Sequence, residues 1–152
     1  VVRRSPDADL PSVEFNFDAI VLSGSVTSCL ETSEAWIHSY DDFVSHHIQK
    51  KTPLLGVCYG HQTLARCLYK MNQKTPALGK SVDAELGWTH IESLMDSELL
   101  QGLPETFVSY SSHYEEVSET PPGTKVIAQT PRVLGVPRLD GIRVDNGALH
   151  AI

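Results

Sequence analysis

Cysteine is scarce in this chain, and what there is forms no framework. Three cysteines in 152 residues, Cys29, Cys58 and Cys67, make an odd number at unrelated spacings, without a Cys-x-x-Cys pair. That excludes a disulfide scaffold and a cysteine-built zinc or redox site, and points to a reducing, cytoplasmic setting. His46 and His47 are adjacent and point in different directions on a helix, so no metal site is expected, and no cofactor. Positive charge is also short: 12 Lys and Arg against 19 Asp and Glu leave 12 − 19 = −7. Such a balance argues against a nucleic-acid or anionic-membrane partner. No run of about 18 apolar residues suggests a membrane span, and no charged-then-apolar start suggests a signal peptide. Low-complexity tracts, internal repeats and domain-splitting linkers are missing as well. What remains is a chain with an ordinary 41% hydrophobic share, long enough to bury a core and suited to small-molecule chemistry.

The order of elements alternates. A charged, proline-punctuated leader at 1–16 precedes a strand at Ala19–Leu22, a helix from about Glu34 to Lys50, a strand running to Val57 and a helix to about Met71. Strand, helix, strand is the signature of a parallel crossover. In the first helix Trp36, Tyr40, Phe43, Val44 and Ile48 form the apolar stripe, which leaves His38, His46 and His47 facing water. Beyond Pro76 shorter extended pieces follow, at about Ala84–Glu92, Phe107–Tyr110, Thr124–Gln129, Val133–Pro137 and Ala148–Ile152. Gly-Leu-Pro, Pro-Pro-Gly and Asp-Gly turns separate them. The expected fold is a single three-layer αβα domain, mostly parallel in its sheet, with an antiparallel elaboration in its second half.

The most telling stretch is Pro53-Leu54-Leu55-Gly56-Val57-Cys58-Tyr59-Gly60-His61-Gln62. An uncharged run reads as a buried parallel strand, and Leu64, Ala65, Leu68 and Met71 then recur at helical spacing. Cys58 falls on the tight turn between them, flanked by glycines that let the backbone bend. Such a nucleophile elbow aims the free N–H groups of a helix N-terminus at the sulfur and stabilises a thiolate. The competing reading, a cysteine acting as a small buried hydrophobe, fits Cys29 and Cys67 better than Cys58.

Gly56-Val57-Cys58-Tyr59-Gly60-His61-Gln62 resembles the nucleophile motif of class I (triad) glutamine amidotransferases, in the style of stand-alone GMP-synthase-like homologues. Asp18-Ala19-Ile20-Val21-Leu22-Ser23-Gly24-Ser25 is similar to the family's strand and glycine loop, Glu85-Leu86-Gly87-Trp88 to its Gly-Trp segment, and Ser111-Ser112-His113 to its Ser-His loop. The resemblance implies a flavodoxin-like fold and hydrolysis of the glutamine side-chain amide. Cys58 would form a γ-glutamyl thioester while the backbone N–H groups of Gly24 and Tyr59 hold the oxyanion. Gln62 would help to hold the amino-acid end of glutamine, and Ser112, His113 and Tyr114 would lie on a loop beside it. His113 also reads as a loop histidine capping a turn. Ammonia would pass to an acceptor or to a synthase partner.

The family ends on a strand and a His-Pro-Glu segment that supplies the general base. Gly147 to Ile152 reads as the start of that strand, so the base is expected beyond Ile152, and the family's first strand is expected before residue 1. His150 lies within the strand pattern, His90 in a segment without a motif, and His61 too close to the elbow to turn back onto Cys58. Two alternatives therefore stand beside the amidotransferase reading. One is a γ-glutamyl hydrolase or peptidase of the same superfamily; the other is a metabolite-binding module without catalysis.

Overall fold

Three short apolar runs build the parallel heart of the sheet in the computed structural model, which describes residues 9–130, 138–144 and 149–151. They are β1 (Ile20–Leu22), β2 (Leu54–Gly56) and β7 (Leu149–Ala151), with β2 between the other two. The long strands β3 (Leu78–Ser93) and β4 (Thr106–Val117), with β5 (Thr124–Thr130) and β6 (Arg138–Val144), complete a seven-stranded sheet in the order β1-β2-β7-β6-β5-β3-β4. All pairings from β7 through β4 are antiparallel. The sheet is thus mixed rather than mostly parallel, because the second half of the chain returns by hairpins instead of helical crossovers.

Helix α1 (Ala35–Gln49) covers β1 and β2 together with α2 (Tyr59–Met71). Leu22, Phe43, Val44, Leu54, Leu64 and Leu68 are the centre of this core. Ile37 belongs to the buried stripe of α1 as well, and so does His47, expected at the surface and found fully buried. Phe17 explains the difference: its ring lies 5.4 Å from that of His47, covering a helix face that helical periodicity alone would leave wet. Leu10 and Val13 also pack on this core, so part of the expected leader is structural, although 9–16 forms no strand. On the other face of β1, Val21 is 65% exposed, and among the described residues no helix forms the expected third layer.

Both helices end in the same way. Lys51 (φ 58°) and Gln73 (φ 55°) adopt the left-handed conformation just beyond α1 and α2. The Thr52 N–H bonds the His47 carbonyl and the Lys51 N–H that of Ile48; Lys74 to Tyr69 and Gln73 to Lys70 repeat the pattern. These are Schellman motifs built without glycine, and the first aims Pro53 directly into β2.

Strands β3 and β4 run well past the expected Ala84–Glu92 and Phe107–Tyr110. Ser111, Ser112 and His113 lie inside β4, not on a loop, paired with Gly87, Leu86 and Glu85. Side-chain preference there is weak, and the ladder with β3 holds the segment extended. Asp140-Gly141, expected as a turn, falls within β6 at a register irregularity. The Gly-Leu-Pro and Pro-Pro-Gly turns are where expected, with Gly102 (φ 86°) and Gly123 (φ 76°) in backbone that favours glycine. The expected strand at 133–137 lies outside the described residues.

Candidate active site

Cys58 stands between the C-terminal end of β2 and the first turn of α2, with φ 53° and ψ −112°. A non-glycine residue held in such backbone is strained, and strain of this kind is kept where surrounding packing enforces it. The two flanking glycines do so here. A Cβ on Gly60 would lie 2.1 Å from the Leu22 carbonyl oxygen, and one on Gly56 would lie 2.7 Å from both the Gly60 backbone and Leu64. Strand β1 therefore presses directly on the first turn of α2. The Val57 N–H donates to the Leu22 carbonyl at 2.8 Å, and the Gln62 N–H to that of Cys58 at 3.1 Å. Tyr59 is the first residue of α2, so its N–H has no partner within the helix.

Gly24, just beyond β1, comes beside the thiol: a Cβ there would be 3.3 Å from Cys58 Cβ and 3.7 Å from Sγ. The backbone of Gly24 and the N-terminus of α2 thus flank the same sulfur, at the C-terminal ends of parallel strands where α/β sheets bind ligands. Half-buried Cys58 opens on a 310 Å³ cavity, which β3 and β4 close from the other side. Its lining combines polar side chains, His61, Gln62, Ser112 and His113 among them, with apolar ones such as Ile91, Leu100 and Phe107.

The expected contact residues differ in their surroundings. Gln62 lines the cavity, but its Nε2 donates to the Glu115 carbonyl at 2.8 Å, tying α2 to β4. Tyr114 is 63% exposed and outside the lining, at a point of β4 where Ser112 and His113 both line it. His61, set aside from sequence, lines the same cavity as Cys58. Burial, with a smaller contribution from His113, lowers its pKa to about 4. At neutral pH it is an uncharged, weak base. Its Nε2 has no hydrogen-bond partner among the described residues. Of the other thiols, burial pushes Cys67 up to about 12 and raises Cys29 as well, which disfavours the thiolate in both. His150 lies within β7, beside Leu55 in the parallel register. Among the described residues no cluster of three or more potential ligands could hold a metal, and no helix is long and apolar enough to cross a membrane.

Four residues of consequence carry no motif in the sequence. Arg66, 1% exposed, donates from Nη2 to Asp41 Oδ1 at 2.7 Å and from Nε to Oδ2 at 3.0 Å; Lys70 Nζ reaches the same carboxylate at 2.8 Å. Glu115 accepts from Ser28 Oγ and, at 2.6 Å, from the Cys29 N–H. A signal existed for Asp41, which falls in the apolar stripe of α1 among Ile37, Val44 and Ile48. For Glu115 there was none, because its partners are 86 and 87 residues away in sequence.

Comparison with known proteins agrees with this architecture. Residues 1–136 match the model of the family described as glutamine amidotransferase class-I. The glutamine-hydrolysing GMP synthase of Aeropyrum pernix is 38% identical over 112 residues, 74% of this chain and 20% of that protein. One subunit of the glutamine-hydrolysing GMP synthase of Pyrococcus abyssi is 32% identical over 133 residues, 86% of this chain and 62% of that one. The chain thus spans less than two thirds of the length of these relatives. Among solved structures, a glutamine amidotransferase from Thermotoga maritima superposes with a TM-score of 0.75 at 17% identity, covering 96% of this chain and 58% of its own. The glutaminase domain of Trypanosoma brucei CTPS with bound acivicin gives 0.69 at 12% identity, over 89% and 61%. These likenesses show the flavodoxin-like α/β fold, and with the family match over 1–136 they establish that the chain belongs to the class I glutamine amidotransferases.

Proposed function

We propose that this chain carries the glutamine-hydrolysing site of an amidotransferase, with Cys58 as its nucleophile. The observation that supports this best is the placement of Cys58, strained at φ 53° between the Gly24 backbone and the start of α2, with a cavity before it. Sγ attacks the side-chain amide carbon of glutamine and forms a C–S bond. The carbonyl oxygen becomes an oxyanion, facing the N–H groups of Tyr59 and Gly24. Collapse of this intermediate breaks the C–N bond, and the nitrogen leaves as ammonia once it has taken a proton. The γ-glutamyl thioester left on Cys58 is then hydrolysed by water to glutamate and free thiol. Gln62, Ser112 and His113 border the space for the amino-acid end of the substrate, with Tyr114 at its margin.

Proton transfer needs a base stronger than His61, whose pKa of about 4 makes it a poor acceptor near neutral pH. The family's His-Pro-Glu histidine is the proposed base. Ammonia would go to an acceptor held by a synthase, in keeping with the name of the Pyrococcus abyssi relative, which is one subunit of a synthase.

The apolar part of the lining, with Ile91, Leu100 and Phe107, favours a second reading. A γ-glutamyl amide with an apolar substituent on its nitrogen fits there as well as glutamine. Competition separates the two: turnover of γ-glutamyl-leucine with a higher kcat/KM than glutamine supports the hydrolase.

For both readings Cys58→Ala in the whole protein abolishes turnover while circular dichroism and melting temperature stay those of the parent. Retained turnover in that variant contradicts the assignment.

A further inference from the structure

We infer that Glu115 is a positioning residue for the oxyanion site, holding the Gly24 loop against the strand that closes the cavity. The inference rests on the amidotransferase reading of Cys58. Segment 23–29 leaves β1 and passes the sulfur at Gly24, and its tip carries little packing: Val26 is fully exposed. Within the segment, Ser25 and Thr27 bond each other locally. Its long-range hold comes at Ser28 and Cys29. There Glu115 Oε1 accepts from Ser28 Oγ, and Oε2 accepts from the Cys29 N–H at 2.6 Å. On the opposite side of the same residue, Arg66 Nη1 donates to the Cys29 carbonyl at 3.1 Å. Both polar groups of the Cys29 backbone are therefore gripped by charged side chains, and Arg66 is itself fixed by Asp41.

Glu115 also reaches the second oxyanion donor. Its own carbonyl accepts from Gln62 Nε2 at 2.8 Å, and Gln62 lies in the first turn of α2, three residues beyond Tyr59. One residue of β4 thus references both the Gly24 loop and the start of α2 to a single strand. A charged carboxylate suits this position because each of its oxygens takes a separate donor, and such charge-assisted bonds are about twice as strong as neutral ones. Burial raises the Glu115 pKa, but the bonds from Ser28 and Cys29 outweigh it and the net shift is downward, so the group is ionised at neutral pH. A glutamine keeps the size but offers one accepting oxygen to two donors.

The test is Glu115→Gln in the whole protein, with Ser28→Ala as a milder second variant, read by three measurements. Amide exchange of the peptide spanning 23–30 is expected to quicken about tenfold in Glu115→Gln while peptides from α1 and α2 keep their protection. With glutamine, kcat is expected to fall about 10- to 100-fold with KM nearly unchanged, since a displaced donor acts on the transition state. Alkylation of Cys58 by iodoacetamide, which forms no oxyanion, keeps its parental rate. Ser28→Ala shows the same pattern at smaller amplitude, and decides the matter if Glu115→Gln fails to fold. Unchanged loop exchange overturns the inference, as does a mobile loop with unchanged kcat, or an alkylation rate that falls in step with kcat. A parent protein that neither hydrolyses glutamine nor forms an adduct at Cys58 refutes the amidotransferase reading, whereas loop exchange still decides whether Glu115 holds the segment.

Discussion

Gly56 and Gly60 are needed for different reasons than their neighbours in the motif. Neither has positive φ; each is a glycine because backbone from another element occupies the place of its Cβ. Gly60→Ala puts a methyl group 2.1 Å from the Leu22 carbonyl oxygen, which can yield only by moving β1 or α2. A loss of about 3 kcal/mol or more is expected in urea denaturation. Gly79, in β3, is a control in the same chain: a Cβ there meets nothing within 4 Å, and Gly79→Ala is expected to be neutral or to gain about 0.5 kcal/mol. Equal losses in both variants would show that the close approach at the elbow is not what matters. At this scale the sequence was legible where a motif concentrates its meaning in ten residues, as around Cys58. It was silent where a side chain acts across the fold. Glu115 in a strand and His47 under Phe17 depend on partners that only tertiary structure brings near.

At the level of elements, the ends of α1 and α2 are more revealing than their interiors. Lys51 and Gln73 sit in left-handed backbone that costs a side-chain-bearing residue about 1 kcal/mol relative to glycine. Lys51→Gly and Gln73→Gly are each expected to stabilise the fold by about that amount. The effects should add, because the two motifs share no contact. Thermal melts of the single and double variants check this; a destabilised Lys51→Gly would mean that the lysine side chain contributes more than its backbone costs. Helices α1 and α2 were read from periodicity to within a residue or so at each end, since their apolar stripes are long. The strands were read less well. Starting β3 at Ala84 and ending β4 at Tyr110 followed side-chain preference, whereas the structure follows the ladder between Leu78 and Val117 at one end and Glu92 and Thr106 at the other. Strand β6 was hidden by an Asp-Gly pair that normally marks a turn, and β7 joins the parallel set that β1 and β2 announce.

For the whole molecule, buried histidine sets the response to acid. His61 has a pKa of about 4 in place of the ordinary 6.5, and burial lowers that of His47 too. Between these values the unfolded chain binds protons that the folded chain refuses, so stability falls as pH drops from about 6.5 towards 4. The difference at His61 corresponds to about 3 kcal/mol across that range. Glu115, lowered in the fold, adds a loss of the same sign below its unfolded pKa. Urea midpoints at pH 7 and pH 5 read the effect, and His61→Gln should flatten it; an unchanged slope in that variant assigns the acid sensitivity elsewhere. The family was legible at this scale because its motifs recur in order along the chain. The mixed sheet was not, since hairpin returns beyond Pro76 leave only short extended pieces in the sequence.

The most direct measurement is to mix the whole protein with glutamine, quench in acid within the first turnovers and map the adduct by peptide mass spectrometry. A γ-glutamyl group on the peptide carrying Cys58, absent in Cys58→Ala, is the expected result. Continued release of glutamate and ammonia with the acyl group on another residue, or with Cys58→Ala still turning over, would contradict the account.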